Sequence, residues 1–264
     1  MNTEAEKQIF GRTSLLLGPE GLEACSETKV IIFGLGGVGS WCAEGLVRSG
    51  VKHLTLVDPD SVNPTNINRQ LQATTRTVGR PKVEVLKERL KEINPDAEIV
   101  ALRKVYSDET FRDWGFDNYD YVIDAIDSLK DKISLLLRAS EYKAKIFSSM
   151  GAALKVDPTQ IKVGEFWNVR GCPLGSMMRK KMRKEKTFPR KKIYCVYDEE
   201  VLENRGEALI PQEDNPLESR KAVINGTTAP VTAIFGMTLA GLVIKDIHNN
   251  TKYEIRTGNR SGDD

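Results

Sequence analysis

Apolar residues in the first 150 positions alternate between two spacings. Short, nearly unbroken apolar runs at 29–33, 53–57, 97–102, 120–125 and 145–149 predict strands. Between them lie helical patterns at 40–49, 79–93 and 128–142. In the middle one Val83, Leu86, Leu90 and Ile93 recur every three or four residues; Gly79-Arg80-Pro81 opens it and Asn94-Pro95 closes it. Strands alternating with helices predict an α/β fold with a doubly wound, Rossmann-like, mainly parallel sheet.

Other patterns flank this core. Residues 4–10 and 19–25 predict two short helices, the first followed by Gly11-Arg12. After Met150, residues 152–166 predict an antiparallel hairpin turning at Asp157-Pro158. Residues 169–206 lack core periodicity and predict a mobile basic crossover loop that orders on binding. A polar linker at 209–219, a helix at 227–247, a last strand at 253–256 and a disordered tail at 260–264 complete the reading. Residues 222–244 carry no charge and are long enough to span a bilayer, but Asn225, Gly226, Pro230 and four threonines favour a buried helix.

The chain of 264 residues is 40% hydrophobic and 29% charged, which suits a soluble globular protein. The N-terminus has no apolar leader pattern, and a cytoplasmic location is expected. Cys25, Cys42, Cys172 and Cys195 form no C-x-x-C pair, so no zinc knuckle is predicted. The net charge of +2 is unevenly spread: residues 179–192 hold nine Lys or Arg and one Glu.

The candidate chemistry starts at GLGGVGS. Gly34, Gly36 and Gly39 fit G-x-G-x-x-G, with Gly37 added, between a strand and a helix. Such a turn lets backbone N–H groups approach a phosphate. Asp58 ends the next strand, where a carboxylate binds ribose hydroxyls in NAD or ATP alike. The following loop separates the two. Asn66, Asn68 and Arg69, with Arg80 and Lys82 beyond, suit a triphosphate, which needs cations and a metal. Asp127 follows the fourth strand, at the end bordering the ligand crevice, and is a candidate Mg²⁺ ligand. Asp124, inside that strand, would cap a neighbouring turn.

GLGGVGS, LVDPDSVNPTNINRQ, VGRPKVE, INPDAEI and VIDAIDSLKDK together resemble the E1-like adenylating enzymes of ThiF/MoeB/HesA type, over residues 10–149. Four further features resemble the dehydratase branch that acts on threonylcarbamoyladenosine in tRNA: the FGR start, the missing zinc cysteines, the basic insertion and TAPVTAIFG. The resemblance implies one adenylation domain over 1–264: N-terminal helices to 28, a nucleotide-binding half at 29–150, and antiparallel strands, basic loop and helix at 151–264. It implies that Gly37 contacts phosphates and Asp58 the ribose. Asn66, Arg69 and Lys82 would bind the triphosphate of ATP, and Asp127 Mg²⁺. Arg12 would reach across a homodimer into the partner's site. A monovalent cation (K⁺ or Na⁺) and a sulfur-relay partner protein are further expectations from related systems.

In that reading the substrate supplies both carboxylate and nucleophile, so no catalytic cysteine is needed. Arg179, Lys180, Lys181, Arg183, Lys184, Arg190, Lys191 and Lys192 would bind tRNA phosphates, with Phe188 and Tyr194 free to stack on bases. Cys195 follows the basic run, which would depress its pKa, but a small residue on a short strand is the plainer reading. His53 and His248 are expected to be structural. The rival function is adenylation of the C-terminal glycine of a ubiquitin-like sulfur carrier.

Overall fold

The computed structural model describes residues 4–206 and 225–258. Seven strands form one sheet in the order β3-β2-β1-β4-β5-β7-β6. The strands are β1 (Lys29–Phe33), β2 (His53–Val57), β3 (Glu98–Leu102), β4 (Tyr121–Asp124), β5 (Lys145–Ser149), β6 (Lys162–Glu165) and β7 (Tyr194–Tyr197). All neighbours pair in parallel except β6, which runs antiparallel to β7. The helices are α1 (Glu4–Ile9), α2 (Gly11–Glu27), α3 (Gly39–Arg48), α4 (Lys82–Ile93), α5 (Leu129–Ala139), α6 (Pro173–Glu185) and α7 (Ala229–Gly258).

The period of two along each strand divides the core into two layers. Val30, Ile32, Leu54, Leu56 and Ile123 face one way and pack with α3, α4 and α7. Ile31, Phe33, Val57, Val122 and Ile146 face the other way, against α5 and α6. Helix α7 is long and apolar enough to cross a membrane by length and composition. Its Val231, Phe235, Leu239, Val243 and Ile247 are buried in the first layer, which is the stripe of a core helix.

Four expectations need correction. Residues 169–206 are not a mobile loop: they hold α6 and β7. Pro173 opens α6 and the Cys172 sulfur accepts from Gly175 N–H, while Met178 and Met182, one turn apart, are fully buried. The dense charge on the outer face hid that narrow apolar stripe. Residues 152–156 form no strand; the antiparallel partner of β6 is β7, with Glu165 opposite Tyr194. Residues 253–256 continue α7, because no Gly or Pro interrupts the helix between Ile247 and Tyr253. At the N-terminus, Gly11 belongs to a longer α2 whose break falls at Gly18 (φ 80°), before Pro19. The expected linker at 209–219 and tail at 260–264 lie outside the described residues.

Candidate nucleotide and substrate cleft

At the C-terminal ends of β1, β2, β4 and β5 lies a cleft of about 760 Å³. The glycine turn forms one wall. Gly34 (φ 88°) donates its N–H to Val57 O at 2.9 Å. A Cβ on Gly34 would lie 2.6 Å from Ala125 O, and one on Gly39 only 1.8 Å from Gly34 O. These two positions exclude any side chain. Gly39 therefore closes the turn from behind, and it does not line the cleft; Gly34, Gly36 and Gly37 do. Val38 precedes α3 with no side-chain cap; Ser40 N–H donates to Gly36 O at 3.3 Å, and the other N–H groups of the turn can face an anion.

Asp58 is 5% exposed and held from two sides: it accepts from Leu35 N–H at 2.7 Å and from Asp60 N–H at 2.9 Å. Burial raises its pKa, and Lys82 and the two N–H bonds oppose that rise. Lys82, also buried, pairs with Asp60 at 2.8 Å and stands 3.9 Å from Asp58. It thus bridges the end of β2 and the start of α4.

The loop after β2 is clamped onto the glycine turn. Trp41 Nε1 donates to Arg69 O at 3.1 Å, Leu71 N–H to Ser40 Oγ at 3.2 Å, and Gln72 Nε2 to Leu35 O at 2.8 Å. Arg69 is half-buried, donates to Thr65 O and Asn68 Oδ1, and faces the field of Asp127. Burial lowers its pKa while Asp127 raises it. Asn66 does not line the cleft: its Oδ1 accepts from Asn63 N–H at 3.0 Å and caps the short 3-10 turn Pro64–Asn66.

Asp127 is exposed at the cleft wall. The loop carrying it is fixed from below. Asp124, fully buried, pairs with the fully buried Lys132 at 2.7 Å and accepts from Ser148 Oγ at 2.6 Å. Lys132 also donates to Ile126 O at 3.0 Å. Asp124 does receive Ile126 N–H at 3.2 Å, as a turn cap would, but its larger role is this ion pair.

Other expected residues lie elsewhere. Arg12 is exposed on α2, outside the cleft. Lys180, Arg183 and Lys184 are exposed on α6, with Arg190 and Lys192 beyond it, and Lys181 is half-buried. Arg179 is turned inward, donating to Phe166 O, and Lys191 donates to Tyr142 O and Ala144 O; burial lowers both pKa values. Phe188 meets Trp167 at 5.7 Å between ring centroids, and Arg183 covers the Trp167 ring. His53 pairs with Glu98 across β2 and β3.

Cys195 is fully buried on β7, and burial raises its pKa rather than depressing it. We expect Cys195→Ala to fold and keep substantial activity. Native Cys195 should also resist iodoacetamide, read by peptide mass spectrometry; rapid labelling of folded protein would contradict this.

Sequence reasoning missed Lys104 and Lys155, which also line the cleft. Neither sits in a phosphate-binding motif, and Lys155 is hidden in the apolar stretch AALKV. Asp60 was visible only as part of DPD.

The ThiF family model matches residues 10–260. The tRNA threonylcarbamoyladenosine dehydratase of Bacillus subtilis is 38% identical over 240 residues, 90% of this chain and 94% of the relative. The crystal structure of the E. coli tRNA N6-threonylcarbamoyladenosine dehydratase in complex with ATP is similar with a TM-score of 0.84 at 30% identity, covering 96% of this chain and 99% of that one. The sulfur carrier protein ThiS adenylyltransferase of E. coli is 36% identical over only 110 residues, 42% of this chain and 43% of the relative.

Proposed function

We propose that this chain, which belongs to the ThiF family, is a cytoplasmic, ATP-dependent tRNA threonylcarbamoyladenosine dehydratase. The observation that carries the reading is the near full-length likeness to such dehydratases, joined to one cleft lined by the glycine turn, Asp58, Arg69, Lys82 and Asp127.

The threonyl carboxylate oxygen attacks the α-phosphorus of ATP, and the bond to the β-phosphate oxygen breaks, releasing pyrophosphate. The carbamoyl group of the same nucleoside then attacks the activated carbonyl carbon, closes a ring and releases AMP; one water is lost overall. Asp58 holds the ribose. Arg69, Lys82 and the turn N–H groups hold the phosphates and neutralise charge as pyrophosphate departs. Asp127 is suited to Mg²⁺, because it is an exposed carboxylate in the cleft wall facing Arg69. An ion there would be held by this carboxylate together with phosphate oxygens and water. Such an ion supplies charge neutralisation to the phosphates when bound.

The outer face of α6 and the segment after it would carry the tRNA backbone. Replacing Arg183, Lys184, Arg190 and Lys192 together by Glu should weaken tRNA binding by at least about tenfold and flatten its salt dependence. Filter binding at two salt concentrations measures this; unchanged affinity would exclude this surface from tRNA binding.

A homodimer fits the exposed apolar residues near Arg12. Leu15 and Leu16 are 88% and 78% exposed. A groove lined by Leu16, Gly45, Met237, Gly241 and Ile244 lies alongside. The family resemblance would have Arg12 of one protomer reach the partner's cleft in such a dimer.

The deciding assay combines the protein, ATP, Mg²⁺ and tRNA bearing the threonylcarbamoyl group. We expect AMP and a nucleoside lighter by one water, seen by mass spectrometry of digested tRNA. Adenylation of a sulfur-carrier protein without that mass change would favour the rival activity.

A further inference from the structure

One wall of the cleft differs from the phosphate-facing side. Met150, Ala152, Leu154, Pro173, Leu174 and Met177 make it largely apolar. Lys155 is the cation in this wall, and it is only 3% exposed. Its Nζ donates to Glu200 O and makes no ion pair among the described residues. An ammonium has three N–H donors, and only this one finds an acceptor among the described residues. Asp198 shares the Glu200 backbone, accepting from its N–H at 2.7 Å, yet its second carboxylate oxygen has no partner among the described residues. A buried charge without a counter-charge is costly unless a ligand supplies one.

The backbone beside it points the same way. Leu154 has φ 60°, a left-handed conformation unfavourable for a branched residue. It is held there by two chain segments: its N–H donates to Gly226 O and its carbonyl accepts from Leu202 N–H, both at 2.9 Å. Strain of this kind persists where the surroundings enforce it, and it clusters at ligand clamps.

We infer that Lys155 binds the substrate carboxylate and presents it to the α-phosphate of the nucleotide. The inference rests on the dehydratase reading. Carboxylate and triphosphate are both anionic, and a fixed ammonium on the substrate side offsets their repulsion. The apolar wall takes the uncharged remainder of the substrate and excludes water from the ion pair.

The test compares wild type, Lys155→Met and Lys155→Arg with the modified tRNA. Two competitive inhibitors of AMP release are added: free N6-threonylcarbamoyladenosine and its carboxamide analogue. Lys155→Met should raise KM for the tRNA, lowering kcat/KM about 10- to 100-fold, and leave KM for ATP unchanged. Wild type should prefer the carboxylate inhibitor over the carboxamide by a similar factor, and Lys155→Met should lose that preference. Lys155→Arg should restore part of it. An active wild type with an equally active Lys155→Met, or a preference that survives the substitution, overturns the inference and leaves the dehydratase reading intact. Equal weakening of both inhibitors and of ATP assigns Lys155 a structural role and also overturns it. An inactive wild type removes the dehydratase reading, and this inference with it.

Discussion

Asp127→Ala is expected to abolish AMP formation, with a loss of at least about 10³-fold at saturating ATP and tRNA. Asp127 is exposed, lines the cleft and meets the field of Arg69 across it. The structure therefore asks little of it for stability, and the variant should melt within about 2 °C of wild type. In the proposed reaction its charge is needed to hold a divalent ion against the phosphates. Asp127→Asn keeps the shape without the charge and should be nearly as inactive. Radiolabelled ATP and thin-layer chromatography would measure AMP directly. Undiminished AMP release from Asp127→Ala would eliminate its metal role.

Lys132→Met should have the largest effect on stability. Lys132 and Asp124 are both fully buried and 2.7 Å apart. Removing the cation strands a carboxylate in the core, which costs about 3–5 kcal/mol, or roughly 6–20 °C in Tm. Ser148 Oγ still donates to Asp124 but brings no positive charge. The double variant Lys132→Met/Asp124→Leu removes both charges and should recover at least half of the lost stability. Calorimetric melting checks both outcomes. A single variant that melts like wild type would mean that the pair does not matter to folding. The pair also braces Ile126 O, one residue before Asp127. Partial activity in the double variant would report how far that brace serves the site.

The first five strands were legible because each is a short apolar run closed by a turn signal. Their parallel pairing follows from the alternation with helices, and the predicted bounds of β1, β2 and β5 match the observed ones. The cleft residues Asp58, Arg69, Lys82 and Asp127 were legible because each ends a strand, follows one or begins a helix, where the doubly wound topology brings chain segments together. Asn66 was assigned to phosphates by resemblance, whereas its side chain is occupied within its own turn. Residues 152–156 misled because alternating small apolar residues look the same along a strand and along a cleft wall. Lys155 escaped for a related reason: its partner Glu200 is distant in sequence and offers a backbone carbonyl, which no motif encodes.

Helix α6 bears on rates as well as on affinity. A basic segment that folded only on contact would lose backbone freedom at that moment, about 1–2 kcal/mol for each residue ordered. Here Met178 and Met182 already anchor all 13 residues of the helix to the core. The exposed ammonium and guanidinium groups of Lys180, Arg183 and Lys184 thus form a standing field. Capture of a polyanion by such a field should be limited by diffusion and ionic strength, with no folding step in the association kinetics.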